Sequence, residues 1–278
     1  MCRMMSLVGG IDRDLVYGFR KLSHKGKIRQ AKSPIKDDYR HHTDGWGIGY
    51  FRDGVPYLYK EGTDAFYSYG YEMIARELHS YPPEATVLHV RRASDKSTIS
   101  DAKAHPFGGS VFNKDFVFCH NGSITKYSSE PFRGMTDSEV IFDLLLEGMK
   151  STDMDGIWTA IQYLKNKIEV NKKEYGWEGY ASLNFLLCDG KHVFAYRDCA
   201  NPADEEYYTL FYGKFEEGYV VASEEFDKRI QWTPIKNGEL LHITKDKTES
   251  RMVDILPQMK DQPAQVASPA KASNSHAA

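Results

Sequence analysis

Cys2-Arg3-Met4-Met5-Ser6-Leu7-Val8, the run that follows Met1, is mostly apolar and reads as a short buried strand opening with a thiol. If Met1 is trimmed, which the small side chain at position two permits, one residue carries both a sulfur nucleophile and a free α-amine. Thiols ionise near about pH 8.5 and α-amines near about 7.7–8.0, so such an amine is matched to take the thiol's proton. A cysteine early in a chain is, taken alone, more often a small hydrophobe that starts a strand. The remaining sequence decides between the two readings.

Composition narrows the field. The chain has 278 residues, 41% of them hydrophobic and 13% aromatic, enough for one large core. A formal net charge of -3 gives no electrostatic case for nucleic acid or an anionic membrane as partner. No apolar run is long enough for a membrane span, and Asp12, Arg13 and Asp14 interrupt the start before a signal-peptide core could form. The expected compartment is therefore the cytoplasm. Cys2, Cys119, Cys188 and Cys199 lack CxxC spacing and are too few for a disulfide scaffold, which suits a reducing compartment.

Beyond the first strand, Leu15, Phe19 and Leu22 recur at helical spacing, and residues 23–43 read as a polar loop. Trp46–Phe51 and Val55–Tyr59 flank the turn Arg52-Asp53-Gly54, so a hairpin is expected, with Pro56 confining its second strand to a sheet edge. Thr63 or Asp64 is a candidate cap for a helix that ends near His79, before Tyr81-Pro82-Pro83. Thr86–Arg91 and Phe116–His120 are strands, the second ending in Asn121-Gly122, a dipeptide that without Cys2 would read as a simple turn. Period-two alternation puts Cys119 and His120 on opposite faces, so Cys119-His120-Asn121 is rejected as a catalytic set and Cys119 is assigned to the core. Thr136-Asp137-Ser138-Glu139 has the form of a capping box, and a helix follows; another spans about Met154–Val170. Asp189-Gly190 turns a second hairpin, and strands are expected near 207–213, 218–223 and 239–244. From Pro257 onward no aromatic residue occurs, so 2–256 is expected to form one domain and 257–278 a disordered tail. Hairpins with amphipathic helices imply an α+β fold built on antiparallel sheets.

Cys2, His89-Val90-Arg91-Arg92-Ala93-Ser94, Ala104-His105-Pro106-Phe107, His120-Asn121-Gly122-Ser123-Ile124 and Thr136-Asp137-Ser138-Glu139 stand in the order and approximate spacing of a class II glutamine amidotransferase domain. Asp44-Gly45-Trp46-Gly47 resembles a motif of the stand-alone branch of that family, which is similar to γ-glutamyl peptide hydrolases. The resemblance runs from residue 2 to about 245. It implies an N-terminal-nucleophile hydrolase fold, a four-layer αββα sandwich of two stacked antiparallel sheets. Cys2 would be the nucleophile, and Asn121 and Gly122 the donors to the oxyanion formed when a thiolate attacks an amide. Glutamine is a zwitterion, and the resemblance gives its carboxylate to Arg91 and its ammonium to Asp137. An arginine at a strand end and an acid in a helix's first turn also have ordinary structural roles.

The implied chemistry is hydrolysis of the γ-amide of glutamine through a γ-glutamyl thioester on Cys2, with no cofactor. Since little but the tail follows residue 245, the expectation is that ammonia passes to an unknown acceptor or that hydrolysis of the γ-glutamyl bond is itself the activity, with a separate synthase or peptidase subunit as the partner implied. The alternatives are hydrolysis of a γ-glutamyl peptide and a silent glutamine-binding subunit. The sequence departs from the family where Arg92 replaces a Trp and Ser94-Asp95-Lys96 replaces Thr-His-Gly. A metal site built on His41, His42 and Asp44 is disfavoured, because adjacent histidines do not supply converging ligands.

Overall fold

The computed structural model describes residues 2–27 and 42–253. The polar loop, for residues 28–41, and the tail expected over 257–278 lie outside the described residues, as does His41. The described elements are β1 (Arg3–Val8), α1 (Arg13–Arg20), α2 (Leu22–Lys25), β2 (Trp46–Arg52), β3 (Val55–Glu61), α3 (Tyr69–Ser80), β4 (Ala85–Val90) and β5 (Phe107–Val111). They continue with β6 (Lys114–Ile124), α4 (Asp137–Gly148), α5 (Met154–Glu174), β7 (Tyr180–Cys188), β8 (Val193–Tyr196) and β9 (Phe211–Phe215). Last come β10 (Gly218–Ala222), β11 (Thr233–Pro234), β12 (Glu239–Ile243) and β13 (Thr248–Met252).

Two antiparallel sheets stack face to face, one ordered β11-β9-β10-β1-β4-β2-β3 and the other β13-β12-β8-β7-β6-β5. Alternation along each strand assigns its side chains to layers. Met4 and Val8 of β1 meet Val117 and Cys119 of β6 and Leu186 and Cys188 of β7 in the apolar layer between the sheets. Met5 and Leu7 turn the other way, onto Leu15 and Phe19 of α1 and Ile74 and Leu78 of α3. On the far side, Phe116 and Phe118 of β6 and Phe185 of β7 pack under Ile141 and Leu145 of α4 and Ile157, Ile161, Leu164 and Ile168 of α5. The result is the expected αββα arrangement, with apolar layers on both faces of each sheet.

Local chemistry explains most boundaries. In the first hairpin Asp53 and Gly54 both have positive φ (49° and 79°), the backbone that a tight two-residue turn with matching twist requires. β3 is the sheet edge, where Pro56 costs no ladder bond. Both halves of the capping box form: the Thr136 hydroxyl accepts from Glu139 N, and Glu139 accepts from Thr136 N.

Four boundaries differ from expectation. α3 is capped by Ser68, whose hydroxyl accepts from Tyr71 N, while Asp64 instead receives Phe66 N in a local turn. Asn121-Gly122 is not a turn, because β6 runs on to Ile124 and β7 pairs with it throughout. The strand sought from 207 begins at Phe211, since Tyr207 and Tyr208 are buried in a small cluster with Cys199. β5 carries Gly108-Gly109 and β13 is polar, so neither shows a strand pattern in its side chains.

Candidate active site

Cys2 immediately precedes β1, the central strand of its sheet. By alternation its side chain shares the inward face of Met4, and it is 8% exposed, with Sγ 3.9 Å from the Arg92 carbonyl oxygen. Arg3 turns outward but donates back to the Cys2 carbonyl at 2.9 Å, and its guanidinium is paired with Glu224. The start of the strand is thus held on both faces.

Asn121 reaches the same point from the opposite sheet. Its Oδ1 accepts from Cys2 N at 3.1 Å, which identifies the other end of the amide as Nδ2. That Nδ2 is buried and has no partner. An unpaired buried donor costs about 1–3 kcal/mol, so its persistence beside a thiol points to a ligand that completes it.

Gly122 stands opposite Leu183, whose N–H turns away to Asp198 O at 2.8 Å. In an antiparallel ladder both members of such a pair turn outward, so the Gly122 N–H points away from β7. On that flank β5 pairs no further than Phe107 opposite Phe118, and the edge of β6 is open. A Cβ at position 122 would lie 1.8 Å from the Ser182 carbonyl oxygen, so only glycine fits.

Arg91 follows β4 and is 6% exposed. Its guanidinium donates to the Thr98 carbonyl and hydroxyl oxygens at 2.9 and 2.8 Å, leaving further donors of its fork for an anion. The intervening loop is anchored by Asp44, which accepts from Ala93 N and pairs with Lys96. Asp137, half-buried at the start of α4, accepts from Ile124 N at 3.0 Å and Ser138 N at 2.9 Å. Asp137 thus meets the edge of β6 at Ile124, whereas Arg91 lies near His89 and His105, where its charge adds to burial in lowering both imidazoles.

Around this point lie three buried, neutral imidazoles. Burial pushes His89 down to about 3, and His105, stacked on it at 4.2 Å, well below the usual range. Burial also lowers His120, whose Nε2 donates to Ser182 O while Nδ1 accepts from the Ser138 hydroxyl. The unfolded chain takes up these protons near about pH 6.5, whereas folded His89 refuses its proton until about 3. Stability contributed above 6.5 is therefore lost as pH falls through that window. Urea midpoints should drop from pH 6.5 to 4, and His105→Phe, a ring that cannot titrate, should make the drop shallower. An unchanged slope in that variant would contradict the assignment.

Burial raises the other thiols: Cys119 well above its usual range, Cys188 to about 12, and Cys199 upward as well. None is poised as a nucleophile. Among the described residues no group of three or more His, Cys, Asp or Glu could hold a metal ion, and no helix is long and apolar enough to cross a membrane.

The structure brings Asn121, and with it Gly122, to Cys2; Asp137 lies at Ile124, two residues further along β6, and Arg91 at the end of β4 beside His89 and His105. Sequence reasoning missed Thr98, Arg3 and the anchoring role of Asp44. The last stood in a quoted motif, but its partner Ala93 N is a backbone group that no side-chain pattern reveals.

Three comparisons bear on the family and the fold. Residues 1–212 match the family model described as glutamine amidotransferases class-II. The chain is 27% identical over 209 residues to the Escherichia coli protein named "Putative glutamine amidotransferase YafJ", covering 70% of this chain and 72% of that one. It is 24% identical over 245 residues to an uncharacterised protein of Methanocaldococcus jannaschii, covering 78% of this chain but only 65% of that one. Among solved structures, a glutamine phosphoribosylpyrophosphate amidotransferase from B. subtilis superposes with a TM-score of 0.60 at 18% identity. The match covers 92% of this chain and 50% of that chain, and at this identity it speaks for the fold alone.

Proposed function

Since the chain belongs to the class-II glutamine amidotransferases, we propose that it cleaves a γ-glutamyl amide, glutamine being the simplest, with Cys2 as nucleophile. Removal of Met1 frees an amine on Cys2 that takes the thiol proton. The thiolate adds to the γ-carbonyl carbon, and the carbonyl oxygen becomes an oxyanion facing Asn121 Nδ2 and Gly122 N–H. The C–N bond then breaks, and the nitrogen departs with the proton from the amine, as ammonia when glutamine is the substrate. A γ-glutamyl thioester stays on Cys2 until water releases glutamate and restores the thiol. Ammonia goes to water or to an acceptor on a separate subunit.

Arg91 and Asp137 hold the α-carboxylate and α-ammonium of the glutamyl group, an opposite-charge pair that selects a zwitterion. The observation that carries this reading is the unpartnered Asn121 Nδ2, an amide oriented by Cys2 itself and with its donor end unfilled. A diazo-ketone analogue of glutamine should add covalently to the protein, with the mass increase on the peptide that begins at Cys2. Full-length protein that keeps Met1 and is nonetheless active would overturn the amine's role, and absence of any adduct would favour a binding subunit.

A further inference from the structure

The backbone of Cys2 is held at both ends: its N–H donates to Asn121 Oδ1 at 3.1 Å, and its carbonyl oxygen accepts from Arg3 at 2.9 Å. What remains free is the torsion that carries the sulfur. Among the described residues Sγ makes one hydrogen-bond contact, to the Arg92 carbonyl oxygen at 3.9 Å. Such a contact is weak by itself, and it selects a rotamer only if the oxygen is itself held still.

That oxygen belongs to the peptide unit joining Arg92 to Ala93, which is trans. In a planar trans unit the N–H and C=O point in opposite directions, so whatever holds one end aims the other. The Ala93 N–H donates to Asp44 Oδ2 at 2.9 Å. The carboxylate therefore stands on one side of the peptide and the Cys2 sulfur on the other. Asp44 is 8% exposed and Ala93 7%, so water competes little for this bond.

Backbone bonds fix Asp44 in turn. Its N–H donates to Arg91 O at 3.0 Å and Arg91 N–H donates to Gly45 O at 2.7 Å, which sets the two segments side by side. Gly45 takes φ 151°, a conformation glycine adopts without a Cβ penalty. The pair with Lys96 adds little, because that side chain is 53% exposed.

Building on the thioester reading above, we propose that Asp44 is a positioning residue for the nucleophile: through the Arg92–Ala93 peptide it holds a carbonyl oxygen against Cys2 Sγ and so sets the rotamer from which the sulfur attacks. The S–H donates to that oxygen while the site is idle. Rotation about Cβ–Sγ carries the hydrogen to the amine. Once it has left, the carbonyl oxygen repels the sulfur, so the contact holds the thiol without holding back the thiolate.

The test is single-turnover acylation of Cys2 by whichever of glutamine and γ-glutamylalanine wild type turns over faster, read by intact mass after rapid acid quench, with steady-state KM beside it. Asp44→Ala should slow acylation by about tenfold or more and keep KM within about threefold, since small misplacements of a reacting group are costly to the chemical step. Asp44→Asn keeps an oxygen for Ala93 N without the charge, and its acylation should come within about threefold of wild type. Lys96→Met removes only the exposed partner and should change neither quantity. A merely structural anchor would behave otherwise: loosening the segment that carries Arg91 and Thr98 would raise KM and leave acylation of the saturated protein intact. If Asp44→Ala does not fold, Asp44→Ser, polar but ending short of Ala93 N, is expected to show the same loss. Acylation at the wild-type rate in the alanine or serine variant, a loss confined to KM, no recovery in Asp44→Asn, or an equal loss in Lys96→Met overturns the assignment. If wild type forms no acyl group on Cys2 from either substrate, it is the thioester reading that fails, and the positioning role with it.

Discussion

Replacing Cys2 by alanine is expected to lower the steady-state release of glutamate by about 10⁴-fold or more, with the γ-glutamyl group no longer retained on the protein after quenching. The size follows from the lack of a substitute. Cys119 and Cys188 are fully buried in the layer between the sheets, and burial raises both thiols far from the neutral range. Cys199 lies beside Tyr207 and Tyr208, and its Sγ donates to Asn201 O. Among the described residues, the imidazoles of His89 and His120 near Asn121 are buried, and burial lowers their basicity, so neither offers an accessible substitute for the thiol. A Cys2→Ala protein keeping even a hundredth of the activity would mean that another group attacks the amide.

Asn121→Asp ranks second, with kcat expected to fall about 10²- to 10³-fold, equivalent to about 2.7–4 kcal/mol of barrier, and KM to change by only a few-fold. This substitution retains an oxygen for Cys2 N and removes the donor that the structure leaves unfilled. It also sets an anion where negative charge develops, which opposes the transition state further. Should KM rise while kcat holds, Asn121 would be a ground-state contact and the oxyanion would have to rest elsewhere.

Much of this was legible in the chain before any coordinates. Strand β1, the two Asp-Gly hairpins and the buried stripe Ile157, Ile161, Leu164 and Ile168 follow from periodicity and turn chemistry, which act locally. The placement of His120 away from Cys119 followed from strand alternation alone, and His120 indeed meets Ser138 of α4 while Cys119 lies between the sheets. What local rules missed depends on distant partners. Asn121-Gly122 has turn composition, yet pairing with β7 keeps it extended. Gly108-Gly109 reads as a breaker, but the β6 ladder supplies its hydrogen bonds, and a side chain at 109 would collide with Leu146 and Phe142.

The position of the nucleophile has a dynamic corollary. β1 is bonded along both edges, to β10 and to β4, and its side chains are sealed on both faces, so its amides belong to the cooperative unit that opens last. The backbone that carries the thiol is therefore anchored from Arg3 onward. Among the described residues, the segment after Arg91 is suited to breathe when reactant enters or product leaves, because Asp95, Lys96 and Ser97 are exposed and its tethers are a few side-chain bonds. Substitutions that loosen those tethers would alter exchange of ligand with solvent while leaving the Cys2 backbone where the sheet fixes it.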